Sequence, residues 1–122
     1  MIALLLFVPV VAAVIAALVS ARLRAAVGIA AVAASGAVVV ALWFAVAHTG
    51  TVRIELAGWA PPLGVALQAD GASVAMLALG HVVMLAVFIV GAAEPRLVGA
   101  DGFWPLALFA MAAISGVFVA AD

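Results

Sequence analysis

The titratable side chains of this 122-residue sequence are four basic, five acidic and two histidine residues, and there is no Cys, Tyr or Lys. Without a thiol there is no disulfide framework, no thiolate nucleophile and no sulfur-ligated metal site. His81 is the one titratable side chain inside a long uncharged run, about ten residues or roughly 15 Å of helix in from Gly71. An imidazole so placed can relay a proton or bind an ion, work that needs an ionisable group where apolar surroundings penalise one. It can also be a neutral ring bonded to a neighbouring carbonyl or hydroxyl, because imidazole is far cheaper to bury uncharged than an ammonium or a carboxylate. No carboxylate shares an uncharged run with it. His48, at the end of another apolar run, reads as an interface residue. Asp70 stands immediately before a third such run, where the positive end of a helix dipole stabilises a carboxylate and weakens its pull on a cation. Helix capping is therefore its favoured role over metal binding. No Gly-rich phosphate loop, no carboxylate pair within a run and no metal-spaced cluster is present. Catalysis by this chain alone is not expected, and neither a metal nor a cofactor is implied.

The elements that carry these residues follow from composition. Hydrophobic residues make up 72% of the chain and charged residues 7%, and the mean hydropathy is +1.56. A soluble domain carries roughly a quarter charged residues, so the solvent of this chain is lipid. A net charge of -1 leaves no electrostatic footprint for nucleic acid and no polybasic patch for anionic lipid. Uncharged runs cover Ile2 to Ala21, Ala25 to Ala47, Gly71 to Ala93 and Phe103 to Ala121, or 20, 23, 23 and 19 residues. As helices they measure roughly 28 to 35 Å, matching a hydrocarbon core of about 30 Å. Runs this long lack the alternation of a barrel strand. The fold class expected is an all-α membrane protein: a single bundle of four transmembrane helices over about 2–21, 25–47, 71–93 and 103–121.

Small residues at Val19, Ser20 and Ala21 resemble a signal cleavage site, yet nothing basic precedes the first run. Arg22 and Arg24 follow it instead. Placing them in the cytoplasm puts Arg96 inside and only Arg53 outside, the bias expected of cytoplasmic loops. The topology is then N-out and C-out. Ser20 to Arg24 reads as a tight turn between the first two helices. Pro95 ends the third helix, and Pro105 falls early in the fourth, where its missing N–H costs little. Pro9 gives the first helix a kink or hinge. Gly28, Gly36, Gly80 and Gly91 permit close packing, without GxxxG spacing among them. Trp43, Trp59 and Trp104 read as an interfacial belt.

The outer loop is patterned. Val52, Ile54 and Leu56 alternate with Arg53 and Glu55, and Val65 and Leu67 alternate with Ala66 and Gln68, the period of half-buried strands. Gly58 to Gly64, with two prolines, supplies a turn. A β-hairpin over about 51–69 is expected, capping the bundle on its outer face.

The loop and the start of the third helix, Gly58-Trp-Ala-Pro-Pro-Leu-Gly64-Val-Ala-Leu-Gln-Ala-Asp70-Gly-Ala-Ser73, resemble the segment Gly-Trp-x-x-Pro-x-Gly-Ile-x-Leu-x-x-Asp-x-x-Ser of antiporter-like membrane subunits. Such subunits belong to multisubunit Na+/H+ antiporters of the Mrp type, where the likeness is to the D-type polypeptide, and to the proton-pumping arms of respiratory complex I and membrane-bound hydrogenases. Trp59, Pro62, Gly64, Asp70 and Ser73 carry the match. Phe103-Trp104-Pro105-Leu106 and Ser115-Gly116-Val117-Phe118 are similar to the family's aromatic-Pro-Leu and Asn-Gly-x-Phe elements, with Ser115 in place of Asn. The resemblance runs over essentially the whole chain.

What it implies is the N-terminal portion of a proton-conducting subunit of fourteen or so helices in the bacterial plasma (inner) membrane. Partners would be the lipid bilayer and other membrane subunits of an antiporter or complex I-like assembly, with protons and Na+ moving through the parent subunit. Protons in that family pass along buried Glu and Lys of later helices, and none of those positions is present here. His81 matches no family ion site and stands as a candidate for the ion pathway on its own chemistry. The implied role is scaffold, outer-face cap and subunit contact. A self-contained small four-helix membrane protein, exporter or structural subunit, is the alternative; a proton-driven exporter needs a membrane carboxylate, which the four runs lack.

Overall fold

The computed structural model describes residues 2–55, 66–98 and 102–120. The chain is mostly helical: α1 (Leu4–Leu18), α2 (Ala21–Thr49), β1 (Val52–Glu55), β2 (Ala66–Ala69), α3 (Gly71–Ala93), a single-turn α4 (Pro95–Val98) and α5 (Phe103–Val119). Two helices, α2 with 29 residues and α3 with 23, are long and apolar enough to cross a membrane. The other two long helices are apolar but shorter than their uncharged runs, 15 residues in α1 and 17 in α5, or roughly 22 and 26 Å. In α1, Ile2 and Ala3 form an entry turn, and the extended Val19 (ψ 166°) stops the helix before the uncharged run ends. Pro9 is buried within α1, which continues past it to Leu18.

One boundary differs from the sequence reading. Ser20 to Arg24 is not a turn: only Val19 and Ser20 connect the helices, and Arg22 and Arg24 lie inside α2. Charge at a helix end does not oppose helical geometry, and a long arginine reaches past its own turn. Arg24 uses that reach to donate from Nε to the Ala16 carbonyl, 3.0 Å away, satisfying one of the orphan acceptors that end α1. After α3, Pro95 ends the helix as expected, and it also opens α4, taking the first-turn position where it has no N–H to lose. At the far end of α2 the chain turns through Gly50, whose φ of +83° a side chain would strain.

The hairpin strands pair as their alternation predicts. β1 and β2 are antiparallel, with Val52 opposite Ala69 and Ile54 opposite Leu67. Arg53 and Gln68 share the other face, where Arg53 Nη1 donates to Gln68 Oε1 at 3.3 Å. Leu67 also bridges to Ala120 at the end of α5, so the hairpin joins the ends of the bundle. The turn residues Trp59, Pro62 and Gly64 lie outside the described residues.

The long helices pack in a ring, α1 against α2 and α5, α2 against α3, and the ring closes through a sparser contact between α3 and α5. Two apolar clusters fill the interior. At the hairpin end Ile2, Leu5, Leu42, Leu67, Leu77 and Val119 pack together. At the opposite end Ala13, Ala16, Val32, Phe88, Trp104 and Leu108 do so. Outward faces remain apolar, with Phe7, Leu18, Val82, Leu106 and Val117 all exposed. Trp43 is exposed too, but Trp104 is not: it is buried against α2 and α3. Residue type and position suggest an interfacial anchor, while the groove at Gly28 draws the indole inward.

Candidate functional site

Among the described residues the buried polar side chains are Ser35, His81 and Ser115. Each comes from a different helix, and each falls where one apolar cluster gives way to the other. On α2, Ser35 lies between Val32 of one cluster and Val39 of the other; on α3, His81 lies between Phe88 and Leu77; on α5, Ser115 lies between Met111 and Val119. Helical periodicity produces this layer, since residues three or four apart share a face and each polar residue replaces one apolar member of the stripe.

His81 is 7% exposed and both ring nitrogens have partners. Nδ1 is 2.8 Å from the carbonyl oxygen of Leu77, one turn earlier in α3. A carbonyl can only accept, so Nδ1 carries a hydrogen. Nε2 is 3.1 Å from Ser35 Oγ across the α2–α3 contact. The serine hydroxyl is also 2.8 Å from the Ala31 carbonyl and 3.3 Å from that of Val32. In the neutral ring Nε2 is an acceptor, and the Ser35 hydroxyl donates to it. No buried side-chain nitrogen or oxygen among the described residues lacks a partner.

Cavities flank the imidazole on both sides. One, of about 250 Å³, opens between α3 and α5 beside Gly80, His81 and Ser115. The second, of about 320 Å³, lies between α2 and α3 beside Gly36. A Cβ at Gly80 or Gly36 would meet nothing within 4 Å, so each glycine widens a groove rather than permitting a close contact. The lining of the first cavity is almost wholly apolar, which suits an apolar group.

Asp70 is an N-cap, as expected. Its Oδ1 accepts from the Ser73 backbone N–H at 2.9 Å. That N–H, then the Ser73 hydroxyl, hold the carboxyl below its ordinary value of 3.8. The Asp and Ser of the loop motif are thus the two ends of one helix cap. Pro105 is the third residue of α5, where backbone N–H groups have no intrahelical acceptor to lose. His48 is exposed in the last turn of α2. Among the described residues no three His, Cys, Asp or Glu side chains come together as a metal site.

Sequence reasoning singled out His81 but missed Ser35. The available signal was that Ser35 and Ser115 are the hydroxyls deepest inside uncharged runs. Nothing in the sequence tells which helix would face His81. Compared with known proteins, the chain matches no family model and no curated protein.

Proposed function

We propose that this chain is a scaffold segment of a proton-conducting membrane subunit, of the kind that serves monovalent cation/proton antiport or redox-driven proton translocation. It spans the bilayer four times with both ends outside, and the hairpin seals its outer end. The observation that carries the reading is the Gly58 to Ser73 segment, which resembles that of antiporter-like subunits. Its Asp-x-x-Ser element has a physical purpose here, because a helix entering hydrocarbon must satisfy its first N–H groups before water is lost. Apolar outer faces on the long helices suit lipid or neighbouring helices. No helix among the described residues contains a carboxylate or lysine, so the residues that pass ions along would come from other helices of the assembly.

Native purification tests the assembly. The tagged chain, extracted in mild detergent, should copurify with membrane subunits that bear intramembrane Glu and Lys; recovery as a lone species that conducts ions by itself would overturn the reading. The absence of cysteine makes topology measurable separately. Arg53→Cys should react with an impermeant thiol reagent added outside intact cells, and Arg22→Cys only after permeabilisation.

A further inference from the structure

We infer that His81 is a reversible proton-binding site, with Nε2 as the atom that takes the proton and the Ser35 hydroxyl as a partner that reverses direction when it does. This does not rest on the transporter reading; it follows from the hydrogen-bond geometry. With Nδ1–H committed to the Leu77 carbonyl, the free position of the ring is Nε2. In the neutral state the Ser35 O–H points at Nε2, 3.1 Å away. When a proton arrives at Nε2, the new N–H must donate, and Ser35 Oγ can accept it once its own hydrogen has turned away. The Ala31 carbonyl, at 2.8 Å, is placed to receive that hydrogen. One proton is gained, one N–H bond forms, and a single hydroxyl rotation keeps every polar group paired.

A histidine buried only for packing needs partners for its neutral form. This one has partners for both forms. That matters because an imidazolium buried without an acceptor is heavily penalised, whereas donating two hydrogen bonds to fixed oxygens offsets part of the cost. The α3–α5 cavity borders both His81 and Ser115, so the layer is not sealed by packed side chains on that side.

Among the described residues, the helices packed around the ring bring no charge close to it. Among the elements packed around it, α1 and α5 contain no titratable side chain, and α3 contains none besides His81. On α2 the titratable groups are Arg22, Arg24 and His48, which lie eleven or more residues from Ser35, or at least about 16 Å along the helix axis.

The test is nitrogen NMR of the full chain, labelled with 15N-histidine, carrying His48→Gln so that one histidine remains, in phosphatidylethanolamine and phosphatidylglycerol vesicles. At high pH the ring should show one neutral tautomer, protonated at Nδ1 and bare at Nε2. Lowering the pH should convert it reversibly to the doubly protonated ring while the helix signals persist. Ser35→Ala should cut the protonated fraction at a given pH by about fivefold, since the charge-assisted bond it removes is the stronger of the two, and Ser35→Thr should restore it. A ring protonated at Nε2 when neutral, or one that stays neutral down to about pH 4 with the helices intact, would overturn the assignment. So would a Ser35→Ala protein that titrates like the parent.

Discussion

Gly28 on α2 and Trp104 on α5 meet so closely that a Cβ at residue 28 would lie 2.6 Å from Cε3 and 2.9 Å from Cζ3 of the indole. The ring cannot step aside easily. Phe88 lies against it at a centroid distance of 5.1 Å and Phe103 at 5.3 Å, and Trp104 is 6% exposed. Gly28→Ala gains about 1 kcal/mol of helix propensity but overpacks the contact at a cost of about 1 to 3 kcal/mol. A net loss of up to about 2 kcal/mol is expected on the same scales, read by tryptophan fluorescence during unfolding in detergent micelles. Gly36→Ala is the control. Its Cβ meets nothing within 4 Å, so the propensity gain stands alone and stability should rise.

The cap on α3 predicts a pH dependence. Asp70 has its carboxyl held below 3.8 by the Ser73 N–H and hydroxyl, so the folded state binds its proton more weakly than the unfolded chain does. The stabilisation is therefore fully present above 3.8 and is lost as pH falls from there through the depressed folded value. The protection of the Ser73 amide, the intrinsic exchange rate at the same pH divided by the observed one, should fall over that window. Asp70→Ala should lose several-fold of that protection above pH 3.8, converge with the parent at low pH and show no such dependence itself, because the N–H then has no acceptor. Unchanged exchange in Asp70→Ala would show that the cap does not hold the first turn.

Much of this fold is legible from where charge is absent. The run from Gly71 to Ala93 coincides with α3 because a capping aspartate and Pro95 bracket it. The hairpin is legible because a period of two fixes which side chains share a face, so Ile54 and Leu67 had to pair inward. Charges proved poor helix stops, however: Arg22 and Arg24 begin α2 rather than preceding it. Burial of Trp104 depends on a glycine 76 positions away in the chain, and a one-helix pattern contains no such information. Ser35 was hidden for a related reason. A serine inside an apolar helix always has the carbonyl four residues back within reach, so its presence needs no partner on another helix to explain it.

The hairpin should contribute through one face only. Leu67 is 3% exposed, packs with the apolar cluster at that end of the bundle and bridges to Ala120. Leu67→Ala should cost about 2 to 4 kcal/mol, since it removes buried methyl groups from a site where helix ends and hairpin converge. Arg53 sits on the opposite, exposed face with a long 3.3 Å bond to Gln68. Arg53→Ala should stay within about 0.5 kcal/mol of the parent. Equal effects in denaturation curves would place the hairpin outside the packed structure.

Ser35 and His81 share one hydrogen bond but are not equally replaceable. Removing the ring leaves Ser35 with the Ala31 carbonyl at 2.8 Å, so no polar group is orphaned. His81→Leu, close in volume, should then cost less than about 1.5 kcal/mol. Removing the hydroxyl instead strands Nε2 in a layer where no other described side-chain partner is in reach. Ser35→Ala should cost about 1 to 3 kcal/mol, the penalty of a buried acceptor left unpaired. The combined Ser35→Ala and His81→Leu protein should recover part of that loss, because it contains no unpaired group. Unfolding of the three variants in detergent micelles decides the matter: a His81→Leu protein weaker than Ser35→Ala would mean that the imidazole stabilises the helices through packing and the Leu77 bond, and that the hydroxyl contact adds nothing.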